Sequence, residues 1–217
     1  TRNKCLFHCL PDIFIVSYFY QKGIRMFKLE TKDLILRDIC EEDLKKHYTW
    51  LTHDTEWWNW DASYWQYQNL SEQQLTIEIP KLMDSMRSFL QMVSQKKPDD
   101  VRYSFQIELK QTGEYIGWIS CYCIDENFVA TDDDALYAFG IDIPEKKYRS
   151  KGLGFQAFSA AIEYYKAHGI DEVYTQTWSG NTPMIRLAQK IGFKLVDVKK
   201  DACEHNGKDF DALTFKI

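Results

Sequence analysis

Six cysteines are present, yet no two of them form a C-x-x-C pair. Cys5 and Cys9 flank His8, but no second ligand pair follows at metal-binding spacing. This argues against a structural zinc, and no metal is expected. The thiols read as reduced, in a cytoplasmic protein. An excess of basic residues is also missing: 27 Lys and Arg stand against 32 Asp and Glu, for a net charge of −5. The basic footprint of a nucleic-acid binder is therefore absent, and an acidic body suits a cationic small partner. No long apolar run occurs. The most apolar stretch, 6–20, is broken by His8, Pro11, Asp12 and Ser17. It falls short of the ~20 residues that a spanning helix needs, and no small-x-small cleavage site follows it. Neither a membrane span nor a signal peptide is expected. Proline and glycine are scarce and scattered, so there is no internal linker, repeat or low-complexity stretch, and 217 residues read as one domain.

Aromatic residues, by contrast, make up 15% of the chain, enough for a large core. Residues 1–25 differ from the rest: Arg2, Lys4, Lys22 and Arg25 against Asp12 give a local charge of +3, leaving −8 for the remainder. They are expected to be an N-terminal extension outside the catalytic fold, which then spans 26–217. Within it, residues 34–37 read as a strand, and a short helix follows to Leu51 with Leu44, His47, Tyr48 and Leu51 at helical spacing. Residues 53–70 are aromatic and polar without period. Residues 71–95 are helical in composition, with a break or restart expected at Pro80.

Tyr103, Phe105, Ile107 and Leu109 alternate with polar residues, as on a half-buried strand. A hairpin turn at 110–113 leads to a return strand, 115–124. A polar loop precedes a third long strand, 135–143, where Gly140 suggests a bulge. Phe155, Phe158, Ile162 and Tyr165 form one helix face, closed by Gly169. A strand at 172–178 follows. Asn181 then reads as an N-cap with Pro183 in the first turn, opening a helix that Gly192 ends. Two last strands join around Asn206-Gly207. The expected fold is α/β: one mixed, mostly antiparallel sheet flanked by helices.

The most informative stretch is Arg149-Ser150-Lys151-Gly152-Leu153-Gly154, between the third long strand and a helix. A glycine turn opening a helix offers free backbone N–H groups and the positive end of the helix dipole to an anion. Arg149 and Lys151 add charge. A P-loop would need GxxxxGK[ST], which does not occur. Gly152-Leu153-Gly154-Phe155-Gln156-Ala157 satisfies GxGxxA. However, a dinucleotide fold also wants an acid at the end of the next strand, where this chain has Thr177-Trp178-Ser179-Gly180. A dinucleotide-binding oxidoreductase is kept only as a remote alternative.

Arg149, Gly152 and Gly154 also fit [RQ]xxGx[GA], and the motif is followed at the right separation by Asn181-Thr182-Pro183 through Ile191-Gly192-Phe193. In these two motifs the chain resembles the GNAT superfamily of N-acetyltransferases. The starting segment 31–37 and the turn 206–209 resemble its RimJ/RimL-like branch. The resemblance covers about residues 31–217 and implies a single-domain acetyl-CoA-dependent N-acetyltransferase. It implies that the diphosphate of coenzyme A sits on backbone amides of Lys151, Gly152, Leu153, Gly154 and Phe155. The pantetheine arm would pair like an added strand with Ile141, Asp142 and Ile143, and Asn181 would touch the pantetheine or acetyl region. A backbone N–H on that strand would hold the developing oxyanion.

An alkyl amine, with a solution pKa near ~10.4, arrives protonated and needs a base. Here the family pattern thins. Leu136, Tyr137 and Ala138 stand where many members carry a strand glutamate, Ala188 stands where many carry a tyrosine acid, and Met184 replaces the RimL-like serine. Glu204, before the Asn-Gly turn, is the first base candidate and Asp134 the second. The leaving thiol, with a pKa near ~8.5, needs no acid. On the acceptor side, Glu56, Trp57, Trp58, Trp60 and Asp61 could hold a cation by carboxylates and ring faces, or the rings could simply pack the loop onto the sheet. The acceptor is expected to be a primary amine: a protein N-terminus, a polyamine, an amino sugar or another small amine. The protein would act as a monomer or homodimer. A non-catalytic acyl-CoA-binding module remains the alternative.

Overall fold

A computed structural model describes the backbone of residues 15–21, 24–133 and 136–217, with side chains from residue 27 onward. Among these described residues ten strands form one sheet: β1 (Ile15–Gln21), β2 (Ile24–Glu30), β3 (Leu34–Arg37), β4 (Phe105–Leu109), β5 (Tyr115–Ile124), β6 (Ala130–Thr131), β7 (Leu136–Asp142), β8 (Tyr174–Trp178), β9 (Lys194–His205) and β10 (Lys208–Lys216). Their order is β1-β2-β3-β4-β5-β7-β8-β10-β9, with β6 paired to β5. All pairs are antiparallel except β7–β8. The expected boundary at residue 26 falls inside β2, and β1 pairs along it.

Among the described residues five α-helices flank the sheet: α1 (Glu41–Thr52), α2 (Trp65–Gln68), α3 (Glu72–Ser94), α4 (Leu153–Ala167) and α5 (Thr182–Ile191). Two cores follow from the alternation of the strands. On one face, Phe105, Ile107, Ile119 and Phe139 pack with Phe158, Ile162 and Tyr165 of α4, and Met184, Leu187 and Ile191 of α5 close over them. On the other, Trp50, Leu51, Trp57, Trp58, Ile79 and Met83 pack with Tyr115 and Trp118. A buried Arg37 anchors α1 to the sheet, donating to Asp43 at 2.7 and 2.8 Å and to Glu108 at 2.6 Å. Three of the helix starts, those of α1, α3 and α5, have a side-chain reason. Acids fill the first turn of α1 against the helix dipole. Ser71 and Gln74 cap each other at α3, and Asn181 caps α5.

Two expectations are corrected. Pro80 does not break α3, which runs continuously through it. Pro80 and Thr76, whose carbonyl loses its donor, are both exposed, so water can satisfy the freed group. Gly140 is not a bulge: β5 and β7 keep one register from Trp118↔Asp142 to Ile124↔Leu136. The register shift lies instead between Ile107 and Glu108, opposite Gly117 and Tyr115. Among the described residues, Cys40, Cys121, Cys123 and Cys203 are free thiols, and no helix is long and apolar enough to cross a membrane.

Candidate active site

The parallel pair β7–β8 is joined by a single bridge, Ala138↔Tyr174. Thr175 Oγ1 donates to the Phe139 carbonyl at 2.8 Å. Beyond that point no strand pairs with Gly140–Asp142 on the β8 side, while β5 holds them on the other. The two strands therefore open toward their C-terminal ends and leave an edge of backbone groups that an extended ligand can pair with.

At the foot of this opening lies the glycine turn. Gly152 is the N-cap of α4, with φ 80° and ψ −3°. That left-handed conformation suits glycine. A Cβ built there would meet nothing within 4 Å, so the space in front of the turn is open. No side chain caps α4, and its first turn holds no acid. Its leading N–H groups thus have neither intrahelical partners nor a competing anion. Lys151 is exposed beside them, and Lys190 of α5 brings a second ammonium 4.6 Å from the Phe155 ring centroid. Lys190 was missed in the sequence because only the α4–α5 packing puts it there. Gly154 packs inward instead, where a Cβ would lie 3.7–4.0 Å from Ile143, Leu187 and Ile141.

Arg149 is committed to partners within the protein rather than left free for a bound anion. Its Nε donates to the Ile143 carbonyl at 2.7 Å, one terminal nitrogen donates to the Pro144 carbonyl, and the other meets Glu56 Oε2 at 2.8 Å. Asn181 is similarly engaged at both ends. Its Oδ1 accepts from Met184 N at 3.2 Å and its Nδ2 donates to the Trp60 carbonyl at 2.9 Å. Trp178 Nε1 donates to that same carbonyl at 3.3 Å.

The aromatic segment divides into two roles. Trp57 and Trp58 are buried in the second core, and Trp57 Nε1 donates to the Trp50 carbonyl at 3.0 Å. Their rings pack the segment down. Trp60 remains partly exposed, with its Nε1 on Glu56 at 3.2 Å. Asp61 follows directly and caps the short turn Ala62–Tyr64 through Ser63 N at 2.9 Å. The Trp60 anchor therefore sets Asp61 at the mouth of the opening.

The Asp61 charge acts on Asp142 and Tyr122 of the sheet. Cross-strand partners share a face, so Ala138, Gly140 and Asp142 point to the same side as Tyr122, Ser120 and Trp118. The opposite side carries Phe139 and Ile141 into the α4 core. Gly140 and Ser120 are small and half-buried on this side, with Asp142 at the end of the row, while Ala138 is buried among Tyr122, Ile124 and Tyr174. Burial pushes the Asp142 carboxyl well above its ordinary value, the Asp61 charge adds to this, and Arg149 pulls the other way. Burial likewise raises Asp61, against hydrogen bonds from Ser63. Burial together with these acids raises the Tyr64 and Tyr122 phenols, which keeps them protonated. Among the described residues no donor hydrogen-bonds the Asp142 carboxylate, which is free to take up a proton or a cation. The alternation Ala138-x-Gly140-x-Asp142, an acid ending a row of small residues, was the sequence signal for its side chain.

Of the two base candidates read from sequence, only Glu204 is among the described residues, and it is engaged elsewhere. Asp134 falls outside the described residues. Glu204 is exposed, and its Oε1 accepts from Gly207 N at 2.7 Å across the β9–β10 turn. The next residue, His205, stacks on Trp65 at 4.1 Å, so strand alternation sends Glu204 to the opposite side.

Residues 33–194 match the sequence family described as the acetyltransferase (GNAT) domain. Among solved structures, the chain is similar to RimL, the ribosomal L7/L12 α-N-protein acetyltransferase: 14% identity, TM-score 0.64, covering 93% of this chain and 99% of that one. It is similar to the ribosomal-protein-S5-alanine acetyltransferase from Vibrio fischeri, with 18% identity, TM-score 0.62, and 88% and 95% covered. It is also similar to spermidine N-acetyltransferase from Vibrio cholerae in complex with CoA and spermine, with 16% identity, TM-score 0.58, and 85% and 95% covered. At these identities the likeness is one of fold. The family match carries the rest, since it spans most of the chain and takes in both the glycine turn and the Asn-capped helix: the chain belongs to the GNAT acetyltransferase family and is an acyltransferase with acetyl-CoA as co-substrate.

Proposed function

We propose that this chain is a RimJ/RimL-like N-acetyltransferase that acetylates a primary amine held between Asp61 and Asp142. The catalytic unit in this reading is 26–217, and β1 is an added edge strand. Acetyl-CoA supplies the activated acetyl thioester. The cradle fits its diphosphate: an uncapped helix N-terminus, open space at Gly152 and no acid in the first turn. Lys151, Gly152, Leu153, Gly154 and Phe155 would hold the diphosphate by backbone N–H groups. Ile141, Asp142 and Ile143 would offer the free edge of β7 to the pantetheine arm. Arg149 braces the strand end, and Asn181 holds the acceptor loop.

The observation that carries the amine reading is the Asp61–Asp142 pair. One strand residue faces both partners: its backbone lies on the cofactor edge and its carboxylate on the acceptor side. A protonated amine would be drawn to the pair as a counter-ion. Asp142, whose basicity is raised by burial and by Asp61, would then take the amine proton and free the lone pair. This role replaces Glu204 as first choice. The named neighbours act on protein α-amino groups or on spermidine, all of them amines.

The test is calorimetry with acetyl-CoA, followed on the same sample by thiol release against a panel of peptides, polyamines and amino sugars. Binding with release dependent on one amine class is the expected result. Binding without release from any amine would overturn the acceptor reading and leave the cradle standing.

A further inference from the structure

Glu56 and Arg149 tie together two parts of the chain that serve different substrates. Arg149 belongs to the connection between β7 and α4, and its guanidinium is divided three ways: the Ile143 carbonyl at 2.7 Å, the Pro144 carbonyl, and Glu56 Oε2 at 2.8 Å. Glu56 belongs to the acceptor-side segment. Its Oε1 accepts from Trp60 Nε1 at 3.2 Å, with Lys146 Nζ at 3.5 Å, and its carbonyl accepts from Asn59 Nδ2 at 2.7 Å. Trp60 is in turn held through its carbonyl by Asn181 and Trp178. The segment 56–61 is therefore pinned at one end to the connection that leads from β7 to the glycine turn. At the other end it is pinned to the corner between β8 and α5. It bridges the opening, and Asp61 hangs from the bridge.

We propose that the Arg149–Glu56 pair is the joint through which occupancy of the coenzyme A cradle sets the position of Asp61, so that the acceptor site is assembled from the cofactor side. Both are positioning residues: neither is placed against a reacting atom. The physical ground is the sharing of one planar, rigid guanidinium by three acceptors. Two of those acceptors are the carbonyls of Ile143 and Pro144, just beyond the end of β7, and Ile143 is in the stretch that would pair with pantetheine. A ligand that fixes those carbonyls fixes the guanidinium, and the guanidinium fixes Glu56. The other tie, at the Trp60 carbonyl, comes from elements beyond the cradle and is present in either case. Burial would raise Glu56, but Trp60, Arg149 and Lys146 together hold it below its ordinary value, so the joint is charged across the neutral range.

The inference rests on the cofactor assignment above, and its test separates the two. Coenzyme A is titrated by calorimetry into the wild-type protein and Glu56→Gln, and amide exchange of residues 54–65 is then followed with and without coenzyme A. The expected result is that both proteins bind coenzyme A alike. Coenzyme A should slow exchange across 54–65 about fivefold or more in the wild type, the low end of inter-site coupling, and not in Glu56→Gln. Equal slowing in the variant, or none in the wild type, overturns the joint while the cradle stands. Loss of coenzyme A binding in the variant alone also overturns it, since Glu56 would then serve the cofactor directly. Absence of binding to the wild type overturns the cradle and the joint with it. A thermal melt of Glu56→Gln near the wild-type value is expected, because Glu56 is partly exposed.

Discussion

Replacing Asp142 by asparagine tests the site through stability and activity at once. The amide has nearly the same shape as the carboxylate, so packing at the end of β7 is kept and only the ionisation is removed. An ordinary aspartate titrates near ~3.9. In the folded protein, burial and the Asp61 charge hold Asp142 well above that, outweighing Arg149. Between the ordinary and the raised value the folded state keeps a proton that the unfolded chain has lost. Stability therefore falls as pH rises through that window, by about 1.4 kcal/mol for each unit of displacement. The penalty is fully present above the folded value and absent below the unfolded one. The Asp142→Asn protein carries no such penalty, so it should be the more stable of the two at pH 8, and the two should converge toward pH 4. Urea melts across that range read the difference directly. Turnover should move the other way, falling about 10²–10⁴-fold with loss of the base. A variant whose stability runs parallel to the wild type at every pH would refute the buried pair. Wild-type turnover would remove Asp142 as base.

Glu204→Gln separates the rival base. Gln keeps an acceptor for Gly207 N on an exposed turn, so stability should stay within about 0.5 kcal/mol and turnover at the wild-type level; a hundredfold loss in the thiol-release assay would return the role to Glu204. Gly152→Asp should abolish coenzyme A binding in calorimetry. It places a carboxylate before the uncapped helix end and strains a left-handed position by about 1–2 kcal/mol; unchanged affinity would mean that the cradle lies elsewhere. Gly117→Ala should cost about 1–3 kcal/mol in a thermal melt, because its Cβ would overlap the Asp142 carbonyl oxygen across the β5–β7 pair and push the two backbones apart. An unaltered melting temperature would contradict that close approach.

Much of the frame was legible from spacing. Strand β5 runs 115–124 as the alternation between turn signals implied, and α4 and α5 begin and end where the glycines and Asn181 mark them. These signals are local: a cap or an αL glycine acts within one turn of chain, so the sequence carries the whole cause. Pro80 misled because the cost of a proline depends on where its lost hydrogen bond points. Gly140 misled because a strand glycine can equally mark a close approach of a neighbour, here Ser120, without a bulge. For Arg149 and Asn181 the positions in the motif were evident, but their side-chain partners were not.

Residue order alone specified that a glycine turn opens a helix after a long strand, and that an Asn-capped helix follows at the spacing of an acetyltransferase. Hydrogen-bonding needs and backbone conformation at single residues are enough for that. What faces the turn was settled by long-range packing. Asp142 feels the charge of Asp61, Arg149 turns back to Glu56, and Trp60 is held by Trp178 and Asn181. Each of these partners is far away in sequence. Which face of the strand, and which carboxylate on it, becomes the site was fixed when α1 to α3 packed their aromatic core across the sheet.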